Sequence, residues 1–224
     1  MNMFSDWCAL FDWDGVVIDS SKLHEKSWEW MSMEYGLPLP DGHFRRGFGM
    51  KNERIIPEVL GWASERDQVA DLASKKERRY RELVVEEGLQ PLPGVAEWIV
   101  QLHDAGVPIS IASSTDRANI DCVLEQIGLG KYFNAIVSGD EVEHGKPAPD
   151  IFLKAASKLG GLPALVFEDA LVGIEAAHRA NMAVVAVTTT HPVHELTAAN
   201  FVVERLDQLT IQQARKLAMA GCPG

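Results

Sequence analysis

The stretch ALVFEDALVGIEAAHRANMAVVAV, residues 164–187, decides the fold. Its two ends, Ala164 to Phe167 and Ala183 to Val187, are short unbroken apolar runs of the kind that lie in parallel sheets covered on both faces. Between them, Val172 to Ala180 has helical apolar spacing, so the stretch reads as strand, crossover helix, strand. Further strands follow the same pattern outward: Trp7 to Phe11, Ile109 to Ala112, Ala135 to Val137 and Phe201 to Val203. The connecting helices are Val95 to Ala105, stopped by Gly106, Asp116 to Ile127, stopped by Gly128, and Asp150 to Leu159. The fold class is therefore α/β with a parallel sheet. One region breaks the alternation: from about Lys22 to Glu87 there are helical patterns but no strand, over Lys22 to Tyr35, Lys51 to Leu60 and a charged run from Asp67 to Glu87. Because it falls directly after the first strand, it reads as a helical insertion folded as a lid over the α/β core. The expected division is 1–20 with 89–224 as core and 21–88 as cap.

Composition narrows the function. The chain has 224 residues and a net charge of −11, a mean field that repels nucleic-acid phosphates. Its longest apolar runs, such as AVVAV at 183–187, are far short of the roughly 18 residues a membrane span needs, so no membrane is expected as a partner. The start MNMFSDWCALFDWDG lacks a basic segment followed by an apolar stretch of signal length, and nothing in it marks the chain for export. Cys8, Cys122 and Cys222 are odd in number and have no CxxC spacing, which suits a reducing cytoplasm without disulfides or zinc.

In open parallel sheets, ligands bind at the carboxyl ends of the strands. Reading those ends in order gives Asp12 and Asp14, then Ser113, Lys146, and finally Glu168 and Asp169. Asp12 and Asp14 in FDWDGVVIDS are two apart, which at strand period points both carboxylates one way, with Gly15 giving the tight turn. Two carboxylates about 4 Å apart repel by about 4 kcal/mol at an effective dielectric near 20, so the pair needs a cation or a shared proton. Glu168 and Asp169 add hard oxygen ligands suited to Mg²⁺, Lys146 in HGKPAPD brings a fixed positive charge, and Ser113 brings a hydroxyl for a phosphoryl oxygen. Taken alone, an Asp at a strand end reads more readily as a helix cap, and Ser113 reads equally well as one. Their recurrence at one sheet edge carries the functional reading.

DWDGV, the serine after IA, GKPAPDIF and FEDALVGIEAA, in that order, resemble the four motifs of the haloacid dehalogenase superfamily, in the branch similar to β-phosphoglucomutase and sugar-phosphate phosphatases. The resemblance covers nearly the whole chain. It implies a Rossmann-like core, a helical cap inserted after the first motif, and Mg²⁺-dependent phosphoryl transfer through an aspartyl phosphate. Asp12 is then the nucleophile and a metal ligand, and Asp14 the general acid/base, giving its carbonyl to the metal. Ser113 and Lys146 hold the phosphoryl group, and Glu168 and Asp169 complete the metal site. Ser114 and Thr115 join the candidate substrate-binding residues.

In the insertion, His24 and Lys76 match positions that meet substrate in the mutase-like branch. The rest of the basic run 75–81 reads as a solvated face. Trp28, Trp30, Met31 and Met33 read as packing of the cap rather than a sugar-stacking stripe. Where mutases carry an arginine for a distal phosphate, this chain has Asn52, leaving Lys51 or Arg54 as substitutes and weakening the case for a mutase. The expected activity is Mg²⁺-dependent hydrolysis of a small phosphorylated metabolite, a sugar or polyol phosphate, by a monomer or weak homo-oligomer. A hexose phosphate mutase is the alternative. Dehalogenation does not fit, since that chemistry uses one carboxylate and no metal. An intact Asp12 argues against a non-catalytic sensor.

Overall fold

The computed structural model describes residues 5–47 and 50–221; Cys222 lies outside the described residues. Two compact units emerge, one made of the chain up to Asp19 and from Leu89 onward, the other of Ser20–Gly88.

The first unit is built on β1 (Cys8–Phe11), β2 (Ile109–Ala112), β3 (Ala135–Val137), β4 (Ala164–Glu168), β5 (Ala183–Val187) and β6 (Phe201–Val203). All pair in parallel in the order β3-β2-β1-β4-β5-β6, so the chain reverses its direction of travel across the sheet between β1 and β4. β1, β2, β4 and β5 are buried along their whole length, as parallel strands covered on both faces are. On one face Cys8, Leu10, Val166 and Val184 meet Phe152, Ala155, Ile174 and Ala177 of two crossover helices. Their strand neighbours point the other way. There Phe11 stacks on Phe167 at 4.5 Å between ring centroids, and Trp98 meets Phe167 edge-on.

The second unit contains α1 (Ser21–Tyr35), α2 (His43–Gly47), α3 (Asn52–Arg54) and α4 (Arg66–Glu87). A single helix over 51–60 is corrected. After α3 the chain widens into a π-helix, Ile55–Leu60, because Pro57 has no N–H to continue the α ladder, and Gly61 ends it. Trp28, Ile55, Ile56, Leu60 and Val69 form the unit's apolar core, with Trp62 edge-on to Trp28 at 5.6 Å. Trp28 and Met31 are buried, whereas Met33 is 77% exposed, so the aromatic and methionine stripe is mostly packing.

The remaining helices return to the first unit: α5 (Val95–Asp104), α6 (Arg117–Ile127), α7 (Asp150–Lys158), α8 (Leu171–Arg179) and α9 (Ile211–Ala220). α9, not foreseen from the pattern, packs on β4 and β5. Thr210 and Gln213 form its capping box.

Candidate active site

Backbone hydrogen bonds carry the strand geometry one residue past the strands, and this is what sets the site. The Asp12 amide donates to the Phe167 carbonyl at 2.9 Å, and the Ser113 amide to the Val137 carbonyl at 3.0 Å. Asp12, Ser113, Glu168 and Asp169 are all buried at this edge. Lys146, on the loop leading to α7, ion-pairs with Asp12 Oδ1 at 2.8 Å and Glu168 Oε1 at 2.6 Å. Glu168 Oε2 accepts the backbone amides of Asp169 and Ala170, both at 2.7 Å. Glu168 therefore fixes Lys146 and the turn after β4 together.

Asp12, Glu168 and Asp169 each bring a carboxylate oxygen into one cluster, all within 4.8 Å of one another. Three carboxylates against one ammonium leave two negative charges, the complement of a divalent cation. Burial pushes the Asp12 carboxyl up; the Lys146 charge opposes this and Glu168 reinforces it. Burial raises Asp169 as well, followed by the charges of Glu168 and Asp12. For Lys146, burial alone would favour the neutral amine, but the Asp12 and Glu168 charges outweigh it and hold the ammonium above its usual range. A buried acidic cluster that resists ionising on its own suits Mg²⁺ by both charge and donor type.

Two glycines make room for these acids. Gly15 has φ +81°, and a Cβ there would lie 2.0 Å from Asp169 Oδ2. A Cβ at Gly173, in the first turn of α8, would lie 1.7 Å from Glu168 Oε1.

Asp14 is not a member of the carboxylate cluster; its Oδ2 accepts the Thr115 hydroxyl at 2.5 Å. The Thr115 amide donates to Ser113 Oγ at 3.1 Å, and its carbonyl accepts the Gly139 amide at 3.1 Å. The structure thus ties Thr115 to the proposed acid/base, while Ser114 is exposed. Thr190, just past β5, donates its hydroxyl to Asp169 Oδ2. Reading sequence did not single out Thr190 or Gly173. The run TTT at 188–190 sits at a strand end, the position rule that found the other residues, and was the available signal.

In the helical unit, Lys76 Nζ lies 2.7 Å from Glu77 Oε1 and 2.6 Å from His24 Nδ1, with the Trp28 and Tyr80 rings at 5.2 and 5.6 Å. His24 stacks on Tyr80 at 3.9 Å between centroids. Its packed setting, then the Lys76 charge, push the imidazole down to about 3, so it is neutral and accepts from Lys76. Asn52 Nδ2 donates to Glu77 Oε1 at 2.7 Å. Although burial favours a protonated Glu77, Lys76 and these hydrogen bonds bring it down to about 2. Lys51 is exposed, and Arg54 forms a two-pronged pair with Glu58 at 2.9 and 2.8 Å. Lys75 and Arg79 pair with Asp71, Glu82 and Glu86 along their own helix, a solvated face.

A parallel core with this strand-end constellation defines a class, and the model of the haloacid dehalogenase-like hydrolase family matches residues 8–181. The chain belongs to that family. It is 39% identical over 215 residues to the chloroplastic 5-amino-6-(5-phospho-D-ribitylamino)uracil phosphatase of Arabidopsis thaliana, covering 94% of this chain and 57% of that protein. It spans only 18% of the Arabidopsis protein SUPPRESSOR OF QUENCHING 1, to which it is 34% identical over 198 residues. The fructose-1-phosphate phosphatase YqaB of Escherichia coli is 32% identical over 175 residues, covering 77% of this chain and 92% of YqaB. Among solved structures, a family IA hydrolase of Entamoeba histolytica superposes with a TM-score of 0.84 at 28% identity, covering 95% of this chain and 99% of the other. No helix of the described residues is long and apolar enough to cross a membrane.

Proposed function

We propose that the chain is a Mg²⁺-dependent phosphatase of a small phosphorylated metabolite, a sugar or polyol phosphate, acting through phosphorylated Asp12. The observation that carries this reading is the buried cluster of three carboxylates with one lysine, which when ionised holds two negative charges in excess. Asp12 and Asp169 by carboxylate, Asp14 by carbonyl, and Glu168 at the cluster's edge would hold the metal. When bound, Mg²⁺ would neutralise the acids and the phosphate oxygens, removing the repulsion between an anionic nucleophile and an anionic ester.

The chain's own groups do the rest. Asp12 attacks phosphorus, the bond from phosphorus to the ester oxygen breaks, and Asp14 gives its proton to the leaving alkoxide. Lys146 and Ser113 hold the phosphoryl oxygens during transfer. Asp14, now a carboxylate, takes a proton from water as that water attacks phosphorus and frees Asp12.

The named substrates of two relatives, a 5-phosphoribityl compound and fructose 1-phosphate, both carry the phosphate on a primary carbon of a polyhydroxy chain. That supports the same class here. Hydrolysis is favoured over mutase chemistry by the helical unit: Asn52 is bound to Glu77, Lys76 is neutralised by Glu77 and Arg54 by Glu58. These are the positions from which a firm clamp on a second phosphate would come. We propose a reducing cytoplasm as the compartment, because the three cysteines have no CxxC spacing and suggest neither a disulfide framework nor a zinc site. We propose a monomer or weak homo-oligomer, checked by light scattering. The deciding experiment is a phosphate-release screen over sugar and polyol monophosphates with Mg²⁺, run beside a coupled assay for glucose 6-phosphate from β-glucose 1-phosphate primed with glucose 1,6-bisphosphate. Phosphate release without isomerisation is expected; isomerisation outrunning release would establish the mutase instead.

A further inference from the structure

Asp169 is gripped from two sides by parts of the chain that lie far apart in sequence. Its Oδ2 rests where Gly15 lacks a Cβ, and the same Oδ2 accepts the hydroxyl of Thr190. Gly15 comes from the turn after β1, Asp169 from the end of β4 and Thr190 from the turn after β5, so three neighbouring strand ends converge on one carboxylate. A carboxylate has two oxygens and rotates about one bond. Fixing one oxygen orients the other.

We infer that Thr190 is a positioning residue for the metal site: by holding Oδ2 it presents Oδ1 of Asp169 to the cation, and it stands outside the metal's own ligands. This rests on the Mg²⁺ reading above. Outer hydrogen-bond partners of metal ligands commonly contribute ten- to a hundred-fold in metal affinity. The low end applies here, because Thr190 is exposed and water can in part replace its hydroxyl. Neighbouring Thr189 is the natural control. It is also exposed and lines a small cavity with Val16, Leu92 and Arg205.

The test is calorimetric titration of Mg²⁺ into the full-length wild type, Thr190→Val, Thr190→Ser and Thr189→Val, each first melted without metal to confirm an unchanged fold. Thr190→Val should bind Mg²⁺ about tenfold more weakly, with Thr190→Ser and Thr189→Val at the wild-type value. Wild-type affinity in Thr190→Val overturns the inference and leaves the metal reading standing. Equal weakening in Thr190→Ser overturns it too, since a hydroxyl would then not suffice. A wild-type protein that takes up no Mg²⁺ removes the metal reading and this inference with it.

Discussion

Each unit of the molecule buries a lysine among acids, and the two sites are built to opposite ends. Lys146 in the α/β unit, 7% exposed, faces Asp12 and Glu168 with Asp169 beside them, and Asp12 and Asp169 are both pushed above their ordinary range. Lys76 in the helical unit, 3% exposed, faces one carboxylate and a neutral imidazole, and Glu77 is pulled down to about 2. Burial opposes charge in both places. Around Lys146, Asp12 and Asp169 resist ionising, while beside Lys76 the Glu77 carboxylate is held ionised. The two carboxylate sets therefore shift in opposite directions beside a buried lysine, and the shift follows the local balance of charge.

Removing the nucleophile should have the largest effect. Asp12→Asn keeps the side chain's shape but cannot accept a phosphoryl group, so phosphate release should fall at least about a thousand-fold with the fold intact. Release within a few fold of wild type would remove Asp12 from the chemistry.

Stability should separate the two lysine sites next. Glu77→Gln takes away the carboxylate charge 2.7 Å from the buried Lys76 ammonium, and denaturant unfolding should show a loss of about 3 kcal/mol. Asp169→Asn, measured without metal, should cost little or stabilise, because its carboxylate is already disfavoured in the folded state. Acid should act in the same contrasting way. The folded-state values of His24, about 3, and Glu77, about 2, lie below their ordinary 6.5 and 4.5. Groups lowered on folding stabilise fully above the ordinary value and lose that contribution as pH falls. Between pH 7 and 5 His24 alone should withdraw about 2 kcal/mol from residues 20–88, while Asp169, raised on folding and so already protonated in the folded state, makes folding more favourable as pH falls over the same range. Hydrogen exchange at the two pH values reads each unit separately. Equal loss of protection in both would break the comparison.

A smaller loss should come from the room made for Glu168. Gly173→Ala puts a methyl where Glu168 Oε1 lies, so Glu168 must shift and take Lys146 with it. We expect a destabilisation of about 1–3 kcal/mol on thermal or denaturant unfolding, together with slower turnover.

How far the sequence carries depends on the range of the interaction. Four strands, Ile109–Ala112, Ala135–Val137, Ala183–Val187 and Phe201–Val203, are readable residue for residue, because short, mainly apolar runs alternating with helical patterns mark a parallel sheet. The carboxylates, Ser113 and Lys146 are readable because parallel sheets collect ligands at one edge. The π-helix over Ile55–Leu60 is not, since Pro57 also suits the first turn of an ordinary helix. Nor is the bond from Asn52 to Glu77, or from Thr190 to Asp169. These pairings, 25 and 21 residues apart, arise only when packing brings their elements together. Glycine 173 reads in sequence as a weak spot in a helix, and only the position of Glu168 explains it.

The subtlest effect belongs to Thr115, which sequence places with the substrate and the structure places on Asp14. Its loop is held by backbone bonds, from its amide to Ser113 Oγ and from Gly139 to its carbonyl, so Thr115→Val should leave the loop in place. What the substitution removes is the hydroxyl 2.5 Å from Asp14 Oδ2, one hydrogen bond to an acid that must alternately donate and accept a proton. A bond of this kind is worth about 1 kcal/mol, roughly a fivefold change in rate. If Thr115 acts through Asp14, the fall appears in kcat with KM steady, and Thr115→Ser restores it. If Thr115 instead holds the substrate, KM rises while kcat stays, and the acid/base would have to be oriented by its remaining contacts alone.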